Sequence, residues 1–240
     1  MKIRFSGQVP KDPFFPEANE DFFSAVDPRC IALSDGASES YDSRAWAKLL
    51  VSQFLADPRP SQQWLQSAVD NYLRESDTEG LSWSKQAARE RGSFATLLGV
   101  TLTASGHSAR VYAFGDSLAV LLDGAEKVRS FPYDRSGEFR QRPELFCTNP
   151  LRNSIFADHG YFDRHTKLWR INRLSDPVLL LMTDALGMWA LASAENGEPC
   201  WGRLVGIETE RELETLVRDE RARGAMNADD TTLIVPSLRM

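Results

Sequence analysis

Histidine and cysteine are scarce, with three of each in 240 residues. Cys30, Cys147 and Cys200 lie far apart and form no CxxC pair. Neither a disulfide framework nor a zinc pair reads from them, and the expected setting is a reducing cytoplasm. His107, His159 and His165 are too scattered for a metal or triad reading. No run of about 18 apolar residues occurs, so no membrane span is expected. The start, Met1-Lys2-Ile3-Arg4-Phe5, lacks the apolar stretch of a signal peptide. Positive charge is also short. The formal net charge is −6, which argues against a nucleic-acid partner needing a basic stripe. Absent too are a G-x-x-x-x-G-K-[ST] loop, a G-x-G-x-x-G after a strand and a G-x-S-x-G elbow.

What is present is an ordinary globular composition, 42% apolar and 26% charged. No repeat, low-complexity tract or Gly/Ser linker divides the chain, so residues 1–240 are expected to form a single domain. Short apolar strands are predicted at 22–26 and 30–33, joined by an Asp27-Pro28-Arg29 turn. Trp46, Leu49, Leu50 and Phe54 recur at helical spacing, as do Leu65, Ala68, Val69, Tyr72 and Leu73. Asp57-Pro58-Arg59-Pro60 separates these two helices, and a short third is predicted over 83–90. Trp46, Trp64 and Trp83 on these helices read as core residues. Strands follow at 94–103, 109–114, 118–122 and 127–130, with Asp123-Gly124 as a hairpin turn. Periodicity dissolves over 131–173, a length typical of a flap or binding loop. A buried strand is predicted at 178–182, a helix at 185–194 and a capped amphipathic helix at 209–223. A last strand spans 231–235. Strands joined by short turns, with helices grouped between them, predict an α+β fold: two packed antiparallel β-sheets flanked by helices.

Acids recur where these strands end. Asp35 follows Ile31-Ala32-Leu33-Ser34, Asp116 follows Val111-Tyr112-Ala113-Phe114-Gly115, and Asp184 follows Leu179-Leu180-Leu181-Met182-Thr183. Asp229 and Asp230 open the last strand, and Asn19-Glu20-Asp21 opens an early one. One such Asp is ordinarily a turn residue or helix cap. Five such sites in one domain, with few basic neighbours, need another answer, because a partly desolvated carboxylate is costly unless paired or bound to a cation. Oxygen-only donors select Mg²⁺ or Mn²⁺ over zinc or copper.

Taken in order, these segments resemble the motifs of PP2C-type (PPM) metal-dependent serine/threonine phosphatases, in a compact bacterial branch. Asn19-Glu20-Asp21 is similar to the opening acidic motif. Ser34-Asp35-Gly36-Ala37-Ser38 resembles D-G-x-G, and Gly92-Ser93-Phe94-Ala95-Thr96 resembles G-S-T-A. Gly115-Asp116-Ser117 matches G-D-S, Thr183-Asp184-Ala185 stands at D-G, and Asp229-Asp230-Thr231-Thr232 resembles D-N-x-T. The resemblance implies an αββα four-layer sandwich with its flap over 131–173. It implies two core Mg²⁺ or Mn²⁺ ions. Asp35 would bridge them, the Gly36 carbonyl would bind one, and Asp184 and Asp229 would complete the other's shell. Asp116 would join Asp184 at a third, weaker ion. Glu20 and Asp21 would bind metal or orient its waters. The implied activity is hydrolysis of phosphoserine and phosphothreonine in the protein substrates of a kinase, by a metal-bridged hydroxide and without a phosphoenzyme.

The pattern departs from the family in places. Pro16 stands where many members grip phosphate with arginine, leaving Lys11 or Arg4 as substitutes for substrate binding. Ala37 replaces the histidine after D-G, Ser38 and Ala185 replace glycines, and Asp230 replaces asparagine, adding negative charge near the metals. Arginines of the flap-like segment (Arg135, Arg140, Arg142, Arg152, Arg164) read mainly as solvated surface charges. The alternative is a catalytically weak or inactive regulator that keeps the fold and binds a phosphoprotein or partner.

Overall fold

Strands that are apolar at every position need cover on both faces, and the fold supplies it. The computed structural model describes residues 1–27, 29–38, 40–75 and 82–238. Pro28 of the early turn and Glu39 of the acidic loop lie outside the described residues. One sheet has the order β1 (Lys2–Val9), β12 (Thr231–Ser237), β11 (Pro177–Met182), β7 (Leu118–Asp123) and β8 (Glu126–Phe131). The other runs β10 (Thr166–Arg170), β6 (Ser108–Phe114), β5 (Leu97–Leu102), β3 (Cys30–Ser34) and β2 (Phe22–Ser24). Every pairing is antiparallel.

Alternation along each strand sorts residues into layers. Ala119, Leu121, Leu179, Leu181 and Ile234 pack between the sheets against Ile31, Leu33, Leu98 and Val111. The intervening Leu118, Val120, Val178, Leu180 and Leu233 face helices α5 (Asp184–Glu195), α6 (Cys200–Val205) and α7 (Glu210–Ala222). On the other side, Ala32, Leu97 and Tyr112 meet α1 (Ser43–Ala56) and α2 (Gln62–Glu75). The result is the expected α+β sandwich of helices, sheet, sheet and helices. Thr209 caps α7 through the predicted box: its hydroxyl accepts from the Glu212 amide at 3.3 Å, and Glu212 Oε2 accepts from the Thr209 amide at 3.0 Å. Among the described residues no helix is long and apolar enough to cross a membrane.

The structure corrects several expectations. The strand predicted over 94–103 breaks at Thr96. Its first part, β4 (Phe94–Ala95), leaves the large sheet and pairs with β9 (Phe146–Cys147). The 131–173 segment is not irregular throughout. It contains α4 (Tyr161–Arg164) and ends in β10, an edge strand whose only buried residue is Trp169. An edge strand wet on most sides shows little periodicity. β1, also an edge strand, does alternate, with Phe5, Gly7 and Val9 buried, but the polar residues between them hid it. Trp83, on α3 (Trp83–Arg91), is not core but 83% exposed.

Leu181 is fully buried between the sheets. Leu181→Ala is expected to destabilise the fold by about 2–5 kcal/mol, read as a lower urea midpoint at unchanged slope. Thr209→Ala, which removes only the α7 cap, should cost about 1 kcal/mol.

Candidate metal centre

Strand register brings the acids together. Phe22 pairs with Ser34, so Asp21 and Asp35 lie at the same sheet edge. Leu33 pairs with Leu98 and Leu97 with Phe114, which carries the Gly115-Asp116 turn to that edge. Met182 pairs with both Leu118 and Leu233, placing Asp184 and Asp229 at the matching edge of the other sheet. Asp35, Gly36, Asp116, Asp184 and Asp229 line one cavity of about 150 Å³, with Ala37, Ser38, Thr96, Pro143 and Leu145 as its other walls.

Backbone bonds hold this edge in place. The Thr96 amide donates to the Asp35 carbonyl at 2.8 Å, and the Asp35 amide donates to Thr96 Oγ1 at 2.9 Å. Thr96 Oγ1 also meets Ser117 Oγ at 2.8 Å, tying in the Asp116 turn. Gly36 is required by contact rather than by conformation. A Cβ there would lie 2.9 Å from the Glu20 carbonyl and 2.9 Å from Ser43 Cβ. The close approach keeps the Asp35 loop against the Glu20–Asp21 segment.

Burial dominates the electrostatics. It pushes the Asp35 carboxyl well above the usual range, and Asp21, Asp184, Asp116 and Asp229 add repulsion. Asp21 rises for the same reason, with Asp230 and Asp184 contributing. Burial, then Asp116 and Asp229, raise Asp184 to about 7. Asp116 and Asp229 are also raised, first by burial. Glu20 behaves differently. Burial alone would raise it, but hydrogen bonds from Ser38, Ser43 and Lys11 hold it below its ordinary value.

The donor set fits hard divalent cations. It is all oxygen, and Asp21 Oδ1 is a buried oxygen without a hydrogen-bond partner. Asp21 Oδ2 is held by Thr232 Oγ1 at 2.7 Å. Among the described residues, no three acidic, histidine or cysteine side chains close on a common point. The Asp184 carboxylate instead accepts the Ala185 amide at 2.6 Å, and Asp229 accepts the Asp230 amide at 2.9 Å.

Of the two cations expected to meet substrate, Lys11 is the one at this edge. Its ammonium donates to Glu20 Oε2 at 2.9 Å and to Ser38 Oγ at 2.7 Å. Arg4 is not brought there. It pairs with Asp176 at 3.3 Å near the opposite end of the strands, roughly 16 Å along β1 from Val9. Asp230 adds negative charge at this edge, its field raising both Asp21 and Asp229, and it also braces the backbone. Its Oδ1 accepts the Lys11 amide at 2.7 Å and its Oδ2 the Glu20 amide at 2.8 Å.

Sequence reading missed Arg221. From α7 it donates to the Pro10 carbonyl at 3.0 Å, to Thr231 Oγ1 at 3.1 Å and to the Asp229 carbonyl. It therefore fixes the backbone on which Asp229 sits. Only its place on a helix facing the last strand could have revealed it. A larger hollow of about 1,010 Å³ between α1 and α2 contains none of these aspartates.

No protein-family profile and no curated protein sequence matches the chain. Solved structures do. The photosystem II phosphatase PBCP is 13% identical with a TM-score of 0.59, covering 99% of this chain and 98% of that one. The serine/threonine phosphatase Stp1 from Staphylococcus aureus is 16% identical with a TM-score of 0.59, covering 100% and 96%. The catalytic domain of the serine/threonine phosphatase PstP, in complex with two manganese ions, is 17% identical with a TM-score of 0.54, covering 98% and 96%. The chain has the PP2C phosphatase fold.

Two outcomes follow from the buried carboxylates. A carboxyl raised from 3.8 to about 7 on folding leaves the folded state holding more protons than the unfolded chain between those values. Stability in a chelator should therefore fall as pH rises from about 4 to 7, and saturating Mn²⁺ should abolish the fall, as read by denaturant titration at each pH. Arg221→Met should weaken Mn²⁺ binding by about 10–100-fold in calorimetric titration.

Proposed function

We propose that this protein is a divalent-cation-dependent phosphatase that hydrolyses phosphoserine and phosphothreonine in proteins, acting in the cytoplasm on the products of a serine/threonine kinase. The observation that carries this reading is the set of five aspartates, Asp21, Asp35, Asp116, Asp184 and Asp229, whose carboxyls burial raises at one edge of a PP2C fold. Residues 1–240 are read as one catalytic domain, with 131–173 as its flap. The three cysteines are free and buried, as suits a reducing compartment.

Asp35, Gly36, Asp184 and Asp229 are assigned to two core Mg²⁺ or Mn²⁺ ions, and Asp116 with Asp184 to a third. Glu20 and Asp21 orient water at their edge. Bound divalent cations lower the pKa of water and offset phosphate charge during in-line displacement. Transfer goes directly to water, without a phosphoenzyme, on the reading that the lining aspartates are committed to the cations, with no cysteine or histidine among the cavity's lining residues. Lys11 replaces the arginine missing at Pro16 by placing positive charge beside the incoming phosphate.

Purified protein with Mn²⁺ is expected to turn over p-nitrophenyl phosphate and a phosphothreonine peptide. Asp35→Asn and Asp184→Asn should each lower kcat by about a hundredfold or more while far-UV circular dichroism stays unchanged. No turnover by the wild type across Mg²⁺, Mn²⁺ and other divalent ions would sink the enzyme reading and leave the non-catalytic regulator.

A further inference from the structure

Beside the acidic cavity lies a second hollow of about 770 Å³, a size suited to a bound ligand. The two share the walls Ala37, Ser38, Pro143, Leu145 and Asp229. The second hollow is basic where the first is acidic. Arg91, Arg142 and Arg152 line it, with Glu144 as its acid besides Asp229. All three arginines are exposed. Among the described residues none of their guanidinium groups has a hydrogen-bond or ion-pair partner, although Arg4, Arg59, Arg164, Arg203, Arg218 and Arg223 do. The field of Glu144 reaches Tyr161 and Arg164. A chain with a net charge of −6 thus keeps three uncommitted cations on one wall.

That wall is built onto the metal loop. The Ala37 amide donates to the Phe94 carbonyl at 2.9 Å, and Gly36 bridges Ala95. β4 then pairs with β9, and Ser93 and Thr148 exchange bonds, the Ser93 amide to Thr148 Oγ1 at 2.8 Å and the Thr148 amide to the Ser93 carbonyl at 3.0 Å. Asn149 Nδ2 donates to the Glu90 carbonyl at 2.8 Å, locking the end of α3 to the turn that carries Arg152. Gly92, at φ 92°, permits this closeness, since a Cβ there would sit 2.6 Å from Cys147 Sγ. Arg91 and Arg152 therefore project from a hydrogen-bonded frame continuous with the Asp35 loop.

We propose that this hollow receives the polypeptide flanking the phosphorylated residue of a protein substrate, and that Arg91, Arg142 and Arg152 select flanks bearing a carboxylate or a second phosphate. The proposal rests on the phosphatase reading and names its substrate class.

The test compares kcat/KM for phosphothreonine peptides whose flanks are neutral, carry glutamate, or carry a phosphoserine, with the anion on either side. The wild type is expected to favour glutamate flanks over neutral ones by about fivefold, and phosphoserine by more, since its charge is larger. The ratio should fall toward one in the combined Arg91→Gln, Arg142→Gln, Arg152→Gln variant and at high ionic strength. Equal rates for all flanks, or a preference that survives the triple substitution, overturns the proposal. A glutamate preference without a phosphate preference assigns the hollow to acidic sequences alone. If neither peptide nor p-nitrophenyl phosphate is hydrolysed, the phosphatase reading fails and the hollow is decided by fluorescence anisotropy. Tighter binding of the doubly phosphorylated peptide to wild type than to the triple variant then supports it, and equal binding refutes it.

Discussion

Carboxylates gathered at a desolvated edge repel one another, so the chain must hold them there by something other than their own interactions. Here two antiparallel sheets do it. Asp35, Asp184 and Asp229 each sit within a few residues of a strand whose residues are buried. The register of those strands, fixed by packing on both faces, sets where the acids arrive. A one-residue slip would turn Leu179 and Leu181 toward the helices and Leu180 toward the other sheet. The apolar alternation is thus what makes the acidic cluster possible, and the cost of the cluster is borne by the sandwich beneath it.

A second set of contacts braces the backbone of this edge. Asp230 spends both carboxylate oxygens on backbone amides, those of Lys11 and Glu20. Arg221 grips carbonyls of residues 10 and 229. An aspartate and an arginine at the same loop therefore both brace its backbone, while the field of Asp230 also reaches Arg221. Together they stitch the end of β1, the acidic turn before β2 and the start of β12 into one unit. Glu20, fixed by Lys11 and Ser43, stays ionised while the aspartates around it do not readily do so.

The legible parts of the chain were those with strong local causes. Fully apolar strands such as 178–182, the Thr209–Glu212 box and acids abutting apolar runs can be read one segment at a time. Elements whose reason is tertiary were hidden. β10 is an edge strand with one buried residue, and β1, also at an edge, alternates with Phe5, Gly7 and Val9 inward but interleaves them with Arg4, Ser6 and Gln8. The break at Thr96 depends on Asp35, which is 61 residues away in sequence. Arg221 looks like any charge on an amphipathic helix until Pro10 and Asp229 are seen beneath it. Trp83 misled because an aromatic residue at helical spacing is usually buried, and here its helix lies with that residue outward. Of the two candidate cations, spacing could not separate Lys11 from Arg4. The antiparallel pairing of β1 with β12 sends one to the acids and the other to Asp176.

The absence of arginine at Pro16 takes on meaning against this arrangement. A cavity walled by aspartates repels a phosphate approaching from solvent, so positive charge is needed at its mouth. Lys11 provides one such charge from the β1 side, partly offset by Glu20 at 2.9 Å. Arg91, Arg142 and Arg152 provide three more across the shared wall of Ala37 and Ser38, and among the described residues no carboxylate is ion-paired with them. On the proposed reading, attraction for the substrate is displaced from the scissile phosphate to the chain beside it. Small phosphate esters then bind weakly and extended acidic segments bind better. Selectivity would arise in the charged frame between β4 and β9, while the chemistry stays with the aspartates.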